Sequence, residues 1–359
     1  MHKSIALVLA SVFLTLVWIG LSSFRQSGPS STSFSVFLTP EERAVLDRMQ
    51  IVDLPDGAGG LVETIRITGV NLQIVNGLGA TNGYPTDPDS IDPLLTEVNG
   101  LGNLIVGYNE LGGALGDDRT GSHNLVFGKG NSFSSFGGLV GPLDNAISAP
   151  FASVSGGTRN LAAAAYGAVS GGSRGTVSGL FASIGGGYLN TAAGDYSTVA
   201  GGRSNQTMAT ANAATVTGGR DNMAWAPYSS ISAGRLNKTY GNYSSISGGY
   251  FNKTGIDINS LGVDASFSSI TGGRTNQTLG LYSSINGGSL NVVWGELGSI
   301  AGGTGNTIGA SGSSAGKWAA ISGGSANSNQ GTRAVISGGA NRTATGDDDW
   351  VAGALFQDN

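Results

Sequence analysis

The sequence predicts an all-β chain: a parallel β-roll or β-helix solenoid of about 14 coils with a 15-residue repeat. Three observations predict it. Glycine is 62 of 359 residues, against an ordinary share of roughly 7%. A Gly-Gly motif recurs in register, with its first position at Gly141, Gly156, Gly171, Gly186, Gly201, Gly218, Ala233, Gly248, Gly272, Gly287, Gly302, Gly323, Gly338 and Gly353; ten of those thirteen steps are 15 residues. A β-branched residue sits at one fixed place in every copy, from Val154, Val169 and Ile184 through Ile246 and Ile285 to Ile336 and Val351.

Fifteen residues hold neither a helix hairpin nor a propeller blade. They hold two or three very short strands joined by tight turns. Glycine takes positive φ at no steric cost, which accounts for the Gly-Gly pair. A second glycine recurs ten residues after the aliphatic one, as at Gly179, Gly194, Gly241, Gly280, Gly295, Gly331 and Gly346, so each coil is expected to have two glycine corners. Stacked at about 4.8 Å, the coils make a rod of roughly 65 Å. The three irregular steps, of 17, 24 and 21 residues, place inserted loops near Met208–Ala213, Gly255–Ala265 and Ala310–Lys317. Three residues before each aliphatic residue runs a second column: Phe151, Tyr166, Phe181, Tyr196, Ala213, Tyr228, Tyr243, Phe267, Tyr282, Leu297 and Trp318. The odd offset puts this column on the opposite strand face, together with the Ser and Thr that flank the aliphatic residue. An apolar stripe of that length is unusual on a monomer, so burial against sister chains is expected, the alternatives being cover by loops of the same chain or an open adhesive ladder for glycan or surface contact.

Composition narrows the function classes. Charged residues are 11% and the net charge is 18 − 23 = −5, with no basic face to neutralise phosphates, so nucleic acid is not an expected partner. Cysteine is absent, which excludes Cys-based zinc sites. Of the two histidines, His2 lies in the N-terminal segment, so a Ser-His-Asp triad would have to use His123. Glycine does not recur every third residue, which excludes collagen.

Before the repeats, residues 1–25 read as a signal peptide or N-terminal membrane anchor: Lys3, an apolar run from Ile5 to Leu21, then Arg25, with cleavage before Ser23. Membrane contact is expected only through this segment. Residues 26–98 read as a linker, a short helix and N-terminal cap strands. Thr39-Pro40-Glu41-Glu42 is a capping box with proline at the first helical position, predicting a helix over Thr39 to Gln50. Alternation predicts strands at 62–67 and 70–75, followed by a turn-rich loop over 77–92. The repetitive body spans 99–353, and 354–359 is the C-terminal end.

The segments Asn103-Leu-Ile-Val-Gly107 and Asn124-Leu-Val-Phe-Gly128, with the Ser-(Val/Ile)-Ser-Gly-Gly coils through Gly339, resemble the head domain of YadA-like trimeric autotransporter adhesins, over roughly residues 99 to 353. The resemblance implies a left-handed β-roll, three chains in one adhesive body, and attachment to a host or matrix protein or glycan. The family repeat is usually about 14 residues, whereas this one is 15. No coiled-coil stalk or β-barrel anchor follows the repeats, so self-translocation is not implied.

The expected function is therefore a non-enzymatic, extracellular or cell-surface adhesin-like structural protein, a homotrimer. No catalytic, cofactor-binding or metal-ligating residue is assigned, and no cofactor. The rivals are a β-helix carbohydrate-active enzyme, which needs clustered carboxylates the repeat lacks, and an ice-binding or glycan-binding solenoid. Asp347-Asp348-Asp349 and Asp117-Asp118 read as solvated turns more readily than calcium ligands. Arg203, Arg220, Arg235 and Arg274 form a sparse basic row. Asn205, Asn237, Asn242, Asn252, Asn276 and Asn341 head Asn-x-Ser/Thr triplets, for which a repeat asparagine bonded to its own turn is the simpler reading.

Overall fold

The computed structural model describes residues 38–256 and 265–352. The signal or anchor segment, the linker, most of the second inserted loop, Gly353 and the C-terminal end lie outside the described residues. The chain divides into two units, residues 1–73 and 74–359.

In the first unit, α1 spans Pro40–Leu46, with both arms of the Thr39/Glu42 capping box formed. The helix is shorter than expected. Its expected last residues, Met49 and Gln50, open strand β1 (Met49–Pro55), which pairs antiparallel with β2 (Leu61–Ile67). The cluster Pro55-Asp56-Gly57-Ala58-Gly59-Gly60 is the hairpin turn. Asp56 accepts the N–H groups of Ala58 and Gly60 at 2.8 Å, and these bonds, Ala58's first, hold its carboxyl below the usual carboxylate range. The strand expected at 70–75 does not form: its alternation is real, but the run finds no strand to pair with.

The second unit is an all-β parallel solenoid. One sheet has 16 strands, starting with β3 (Leu104–Val106) and β4 (Leu125–Phe127), and a second has 14. From Ser132 onward each strand is two residues long. The coil 228–242 shows the pattern. Ser230–Ile231 is a strand of the first sheet, Arg235 makes a single parallel bridge to Arg220 and Tyr250, and Lys238–Thr239 is a strand of the second sheet. Pairing continues through all three insertions: Thr198 pairs Thr215, Ser245 pairs Ser269, and Ser299 pairs Ala320.

The corners differ from expectation. Most coils have three left-handed corner positions, two of them not glycine: in this coil Tyr228 (φ 58°), Gly234 (φ 88°) and Leu236 (φ 58°). Such a conformation costs a non-glycine residue about 1–2 kcal/mol. Hydrogen bonding explains why it persists. Strand residues donate forward, as Ser230 N–H does to Ser244 O, whereas Tyr228 and Leu236 donate backward, to Asn212 O and Arg220 O. The left-handed corner turns the peptide over, so both neighbouring coils are engaged.

The second recurring glycine is not a left-handed corner. Gly179, Gly241, Gly280 and Gly295 have ordinary φ, but a Cβ there would run into the next coil's carbonyl group. They are glycine because the coils approach closely. The first glycine of the pair is unconstrained in the middle coils: a Cβ at Gly248, Gly272 or Gly287 meets nothing within 4 Å, which fits Ala233 in that column, whereas at Gly156 it would run into the Ser170 carbonyl oxygen.

The core lies inside a single chain. The β-branched column from Val126 to Ile336 is buried throughout. A second inward column, Ala162, Val177, Ala192, Thr207, Ala224, Thr239, Thr254 and Thr278, is buried against it. A third carries small residues complementary to the second. Gly167 and Gly298 occur where the second column has Val177 and Ile308; Ser229, Ser244 and Ser268 occur where it has Thr239, Thr254 and Thr278. Those hydroxyls pair at 2.8, 2.6 and 3.1 Å, so no buried hydroxyl there is unbonded.

Candidate binding surfaces

The repeat puts identical positions in line, so each outward residue becomes a column. The first column is aromatic. Phe151, Tyr166, Phe181 and Tyr196 stack with centroids 4.5–5.2 Å apart and planes within 16°. Tyr228, Tyr243, Phe267 and Tyr282 form a second run at 4.7–4.9 Å. These rings occupy the left-handed corner ahead of the strand, not the strand face predicted from the sequence. Their faces are spent on one another, so the column presents ring edges; Phe151 is partly buried, and the other seven rings have exposures between 38% and 60%.

Removing the rings from the strand face leaves that face to hydroxyls over four coils, with Ala, Gly, Val, Phe127 or Trp350 at the same positions in others. Thr215/Thr217, Ser230/Ser232, Ser245/Ser247 and Ser269/Thr271 flank the buried aliphatic residue in consecutive coils, forming two rows on a parallel sheet.

The arginine row is real. Arg203, Arg220, Arg235, Tyr250 and Arg274 are consecutive members of one bridge ladder. Arg203 lies 5.7 Å from the Tyr188 ring centroid; Arg235 and Arg274 lie 5.9 Å from that of Tyr250. Asp221 sits 3.1 Å from Arg220 and 3.9 Å from Arg235, so part of the charge is neutralised along the row.

The third insertion covers a shallow groove of about 420 Å³, lined by Leu279, Leu281, Trp294 and Ser313. Lys317 and Glu296 close its rim with a 2.6 Å ion pair. The sequence pointed to the insertion but not to the groove, because the groove depends on which wall the loop folds back against.

The individually weighed residues are all engaged locally. His123 accepts the Asn76 N–H at Nε2, 3.1 Å, while Nδ1 lies 3.0 Å from the Thr81 carbonyl, a pattern that places the proton on Nδ1. Asp117 accepts the Gly112 N–H, and Asp118 accepts from Thr120. The three C-terminal aspartates separate: Asp347 accepts the Thr332 N–H, Asp348 binds Arg333, and Asp349 accepts the Gly346 N–H. Among the described residues no three His, Asp or Glu side chains form a metal-holding cluster. Nor is any helix among them long and apolar enough to cross a membrane.

The asparagines give the largest surprise. Asn205, Asn237, Asn252 and Asn276 are fully buried, whereas Asn242 and Asn341 are exposed. Asn237 bonds its own turn, as expected, donating Nδ2–H to Ala233 O at 3.1 Å. It also donates to Gly249 O in the next coil, and its backbone N–H reaches Asn222 Oδ1 at 3.0 Å. The same three bonds recur at Asn222, Asn252, Asn276, Asn291 and Asn306, an unbroken side-chain ladder. The signal was visible as an asparagine six residues after most of the aliphatic residues, with Gly175 after Val169 and Arg342 after Ile336 among the exceptions, but a single sequence copy shows only the local bond.

A scan of known protein-family models gives no match to this chain, and a search of curated proteins gives none either.

Proposed function

We propose that this chain is a non-enzymatic, extracellular attachment protein whose solenoid presents repeated side-chain columns to a surface, a matrix or another cell. The stacked aromatic column carries the reading: two runs of stacked rings in fixed positions, seven of the eight half-exposed, are a surface feature that folding of the core does not require. The resemblance to YadA-like heads supplies the rest of the proposal: a left-handed coil, a homotrimer, and a host or matrix protein or glycan as partner. The apolar run Ile5–Leu21 after Lys3 supports secretion or retention at the cell surface.

The proposed seam between chains is the hairpin rather than the rings. On one face of β1–β2, Met49 lies opposite Ile67 and Ile51 opposite Ile65, and Ile51 and Ile65 are 75% and 65% exposed. A lone two-stranded hairpin is marginal in water. Sister hairpins packed on this face would stabilise one another and leave the rings free.

Beads coated with the full chain test the attachment. They should bind a carbohydrate- or protein-coated surface that the fourfold variant Tyr166→Ser, Phe181→Ser, Tyr243→Ser, Phe267→Ser does not hold. Equal retention of both would remove the aromatic column from the proposal. Light scattering on wild type and Ile51→Asp should give three chain masses and then one; a monomeric wild type would sink the trimer.

One observation favours a second reading. Over the four coils from Thr215 to Thr271 the two hydroxyl rows are free of aromatics, and a Ser/Thr array at the coil repeat is the chemistry of an ice-binding face. Thermal hysteresis in the freezing of a solution of the full chain would support it.

A further inference from the structure

The aromatic column is interrupted once by a small residue. Ala213 occupies the ladder position between Tyr196 and Tyr228, with the same left-handed backbone, φ 54° against 58° for both neighbours. Register is kept on both sides: Thr198 pairs Thr215, which pairs Ser230. Tyr196 therefore stacks only on Phe181, and Tyr228 only on Tyr243. The facing sides of Tyr196 and Tyr228 have lost the ring between them. Both are more exposed, at 60% and 55%, than the rings inside the runs, such as Phe181 at 45% and Phe267 at 47%. The other interruption, Leu297 between Tyr282 and Trp318, retains a branched side chain in the column.

We infer that this gap is a binding slot for one β-gluco-configured pyranose ring of a neutral glycan. Two coil rises of about 4.8 Å separate the flanking rings by about 9.6 Å, the room for one ring in the stack. An occupant held between two aromatic faces must be apolar on both of its own. A β-glucopyranose meets that condition, because its hydroxyls are all equatorial and its axial C–H groups point to both faces. A galactose carries an axial hydroxyl at C4 and a mannose one at C2, and each would press a polar group against an aromatic ring.

The rim suits a hydroxylated ring better than a hydrocarbon one. Both flanking rings are tyrosines. Asn212, next to Ala213, is exposed; its Oδ1 accepts the Asp195 N–H at 3.2 Å, and its Nδ2 makes no hydrogen bond among the described residues. Asp195 accepts the Leu180 N–H through Oδ1, which leaves Oδ2 for a sugar hydroxyl. The inference deepens the attachment reading and rests on it for its biological role, by giving the rod a ligand class.

The test titrates the full chain with cellobiose and methyl β-D-glucopyranoside, following saturation-transfer NMR and the Tyr196 and Tyr228 ring signals, with methyl α-D-mannopyranoside and methyl β-D-galactopyranoside as controls. A monosaccharide in a two-ring slot should bind at about millimolar Kd, and the axial-hydroxyl sugars about tenfold more weakly. Tyr196→Ala should abolish binding. Ala213→Tyr keeps a backbone conformation that tyrosine already adopts on both sides, so it should fold, extend the stack, raise the melting temperature and close the slot. Undiminished glucoside binding by Ala213→Tyr overturns the inference, as does equal binding of all four sugars. The attachment reading fails separately: cellobiose binding by a chain whose coated beads do not adhere leaves the slot standing, and adherence without any sugar binding removes the slot.

Discussion

Asn276 donates its backbone N–H to the side-chain oxygen of Asn252 at 2.9 Å, although 24 residues separate them in sequence. The bond is the same one that Asn252 makes to Asn237 across an ordinary 15-residue coil, at 3.0 Å. The inserted loop therefore leaves the stacking of coils undisturbed, and the columns on either side stay aligned.

Asn252→Ala tests the ladder. It leaves the Asn276 N–H and the Gly248 carbonyl without these partners, while Gly273 O keeps the Tyr250 N–H. With about 1–3 kcal/mol for each buried group left unpaired, the expected loss is about 2–4 kcal/mol. Urea denaturation should show it as a lower midpoint. Asn242→Ala, at an exposed position, should change stability by less than about 0.5 kcal/mol.

The Ser244–Thr254 pair should behave as one unit. Thr254→Val alone leaves the Ser244 hydroxyl without its 2.6 Å partner inside the core. That leaves it the carbonyl three residues back, the acceptor Ser283 uses opposite Val293, and adding Ser244→Ala removes the hydroxyl and recreates the Ala-with-apolar pairing of coils such as Ala152/Ala162. A double-mutant cycle should give a coupling of about 1 kcal/mol, with the double variant near wild type. Additive losses would show that the two hydroxyls act separately.

The glycine pair divides into a strict and a lenient position. Gly273 has φ 86° and a Cβ there would run into the Gly288 carbonyl oxygen, whereas a Cβ on Gly272 meets nothing within 4 Å. Gly273→Ala should lower the melting temperature sharply, its left-handed strain of about 1–2 kcal/mol adding to the collision. Gly272→Ala should leave it nearly unchanged.

Repetition explains how much of this fold was legible. A column of β-branched residues at a constant step specifies both the stacking and the inward direction, so the solenoid and its three insertions could be read directly. The corners could not. Positive φ is usually a glycine signature, and here Tyr228 and Leu236 adopt it because their N–H groups must turn toward the preceding coil. That one misreading also misplaced the aromatic column, since a residue assumed to lie on the strand is assigned to a strand face. The β1–β2 hairpin was missed for a different reason: the capping box at Thr39 is a strong local signal, and it drew Met49 and Gln50 into a helix that ends at Leu46.

At the C-terminal coils, Arg333 and Asp348 form a two-bonded ion pair with both contacts at 2.7 Å. The hydrogen bond from Arg333 holds the Asp348 carboxyl below the usual carboxylate range. A carboxyl with a depressed folded value adds stability above the unfolded value of about 3.9 and loses it as pH falls through the folded one. The pair is exposed, so the effect is small and local. Amide exchange across 343–351 should accelerate, relative to Arg333→Ala, only on acidification below that range. A pH-independent difference would remove the pair from the stability of this end.

Burial also sorts the six Asn-x-Ser/Thr triplets. Folded protein secreted from a host with N-glycosylation machinery should carry glycan only at Asn242 and Asn341. Peptide mass mapping that finds glycan on Asn205, Asn237, Asn252 or Asn276 in folded material would contradict their complete burial.

The continuity of the asparagine ladder through all three insertions is the claim on which every surface column depends, and native-state hydrogen exchange reads it most directly. The backbone amides of Asn222, Asn237, Asn252, Asn276, Asn291, Asn306 and Asn327 should be protected to a similar degree and open together. Fast exchange at Asn276, or independent opening of the coils on either side of residues 257–264, would contradict a single continuous rod.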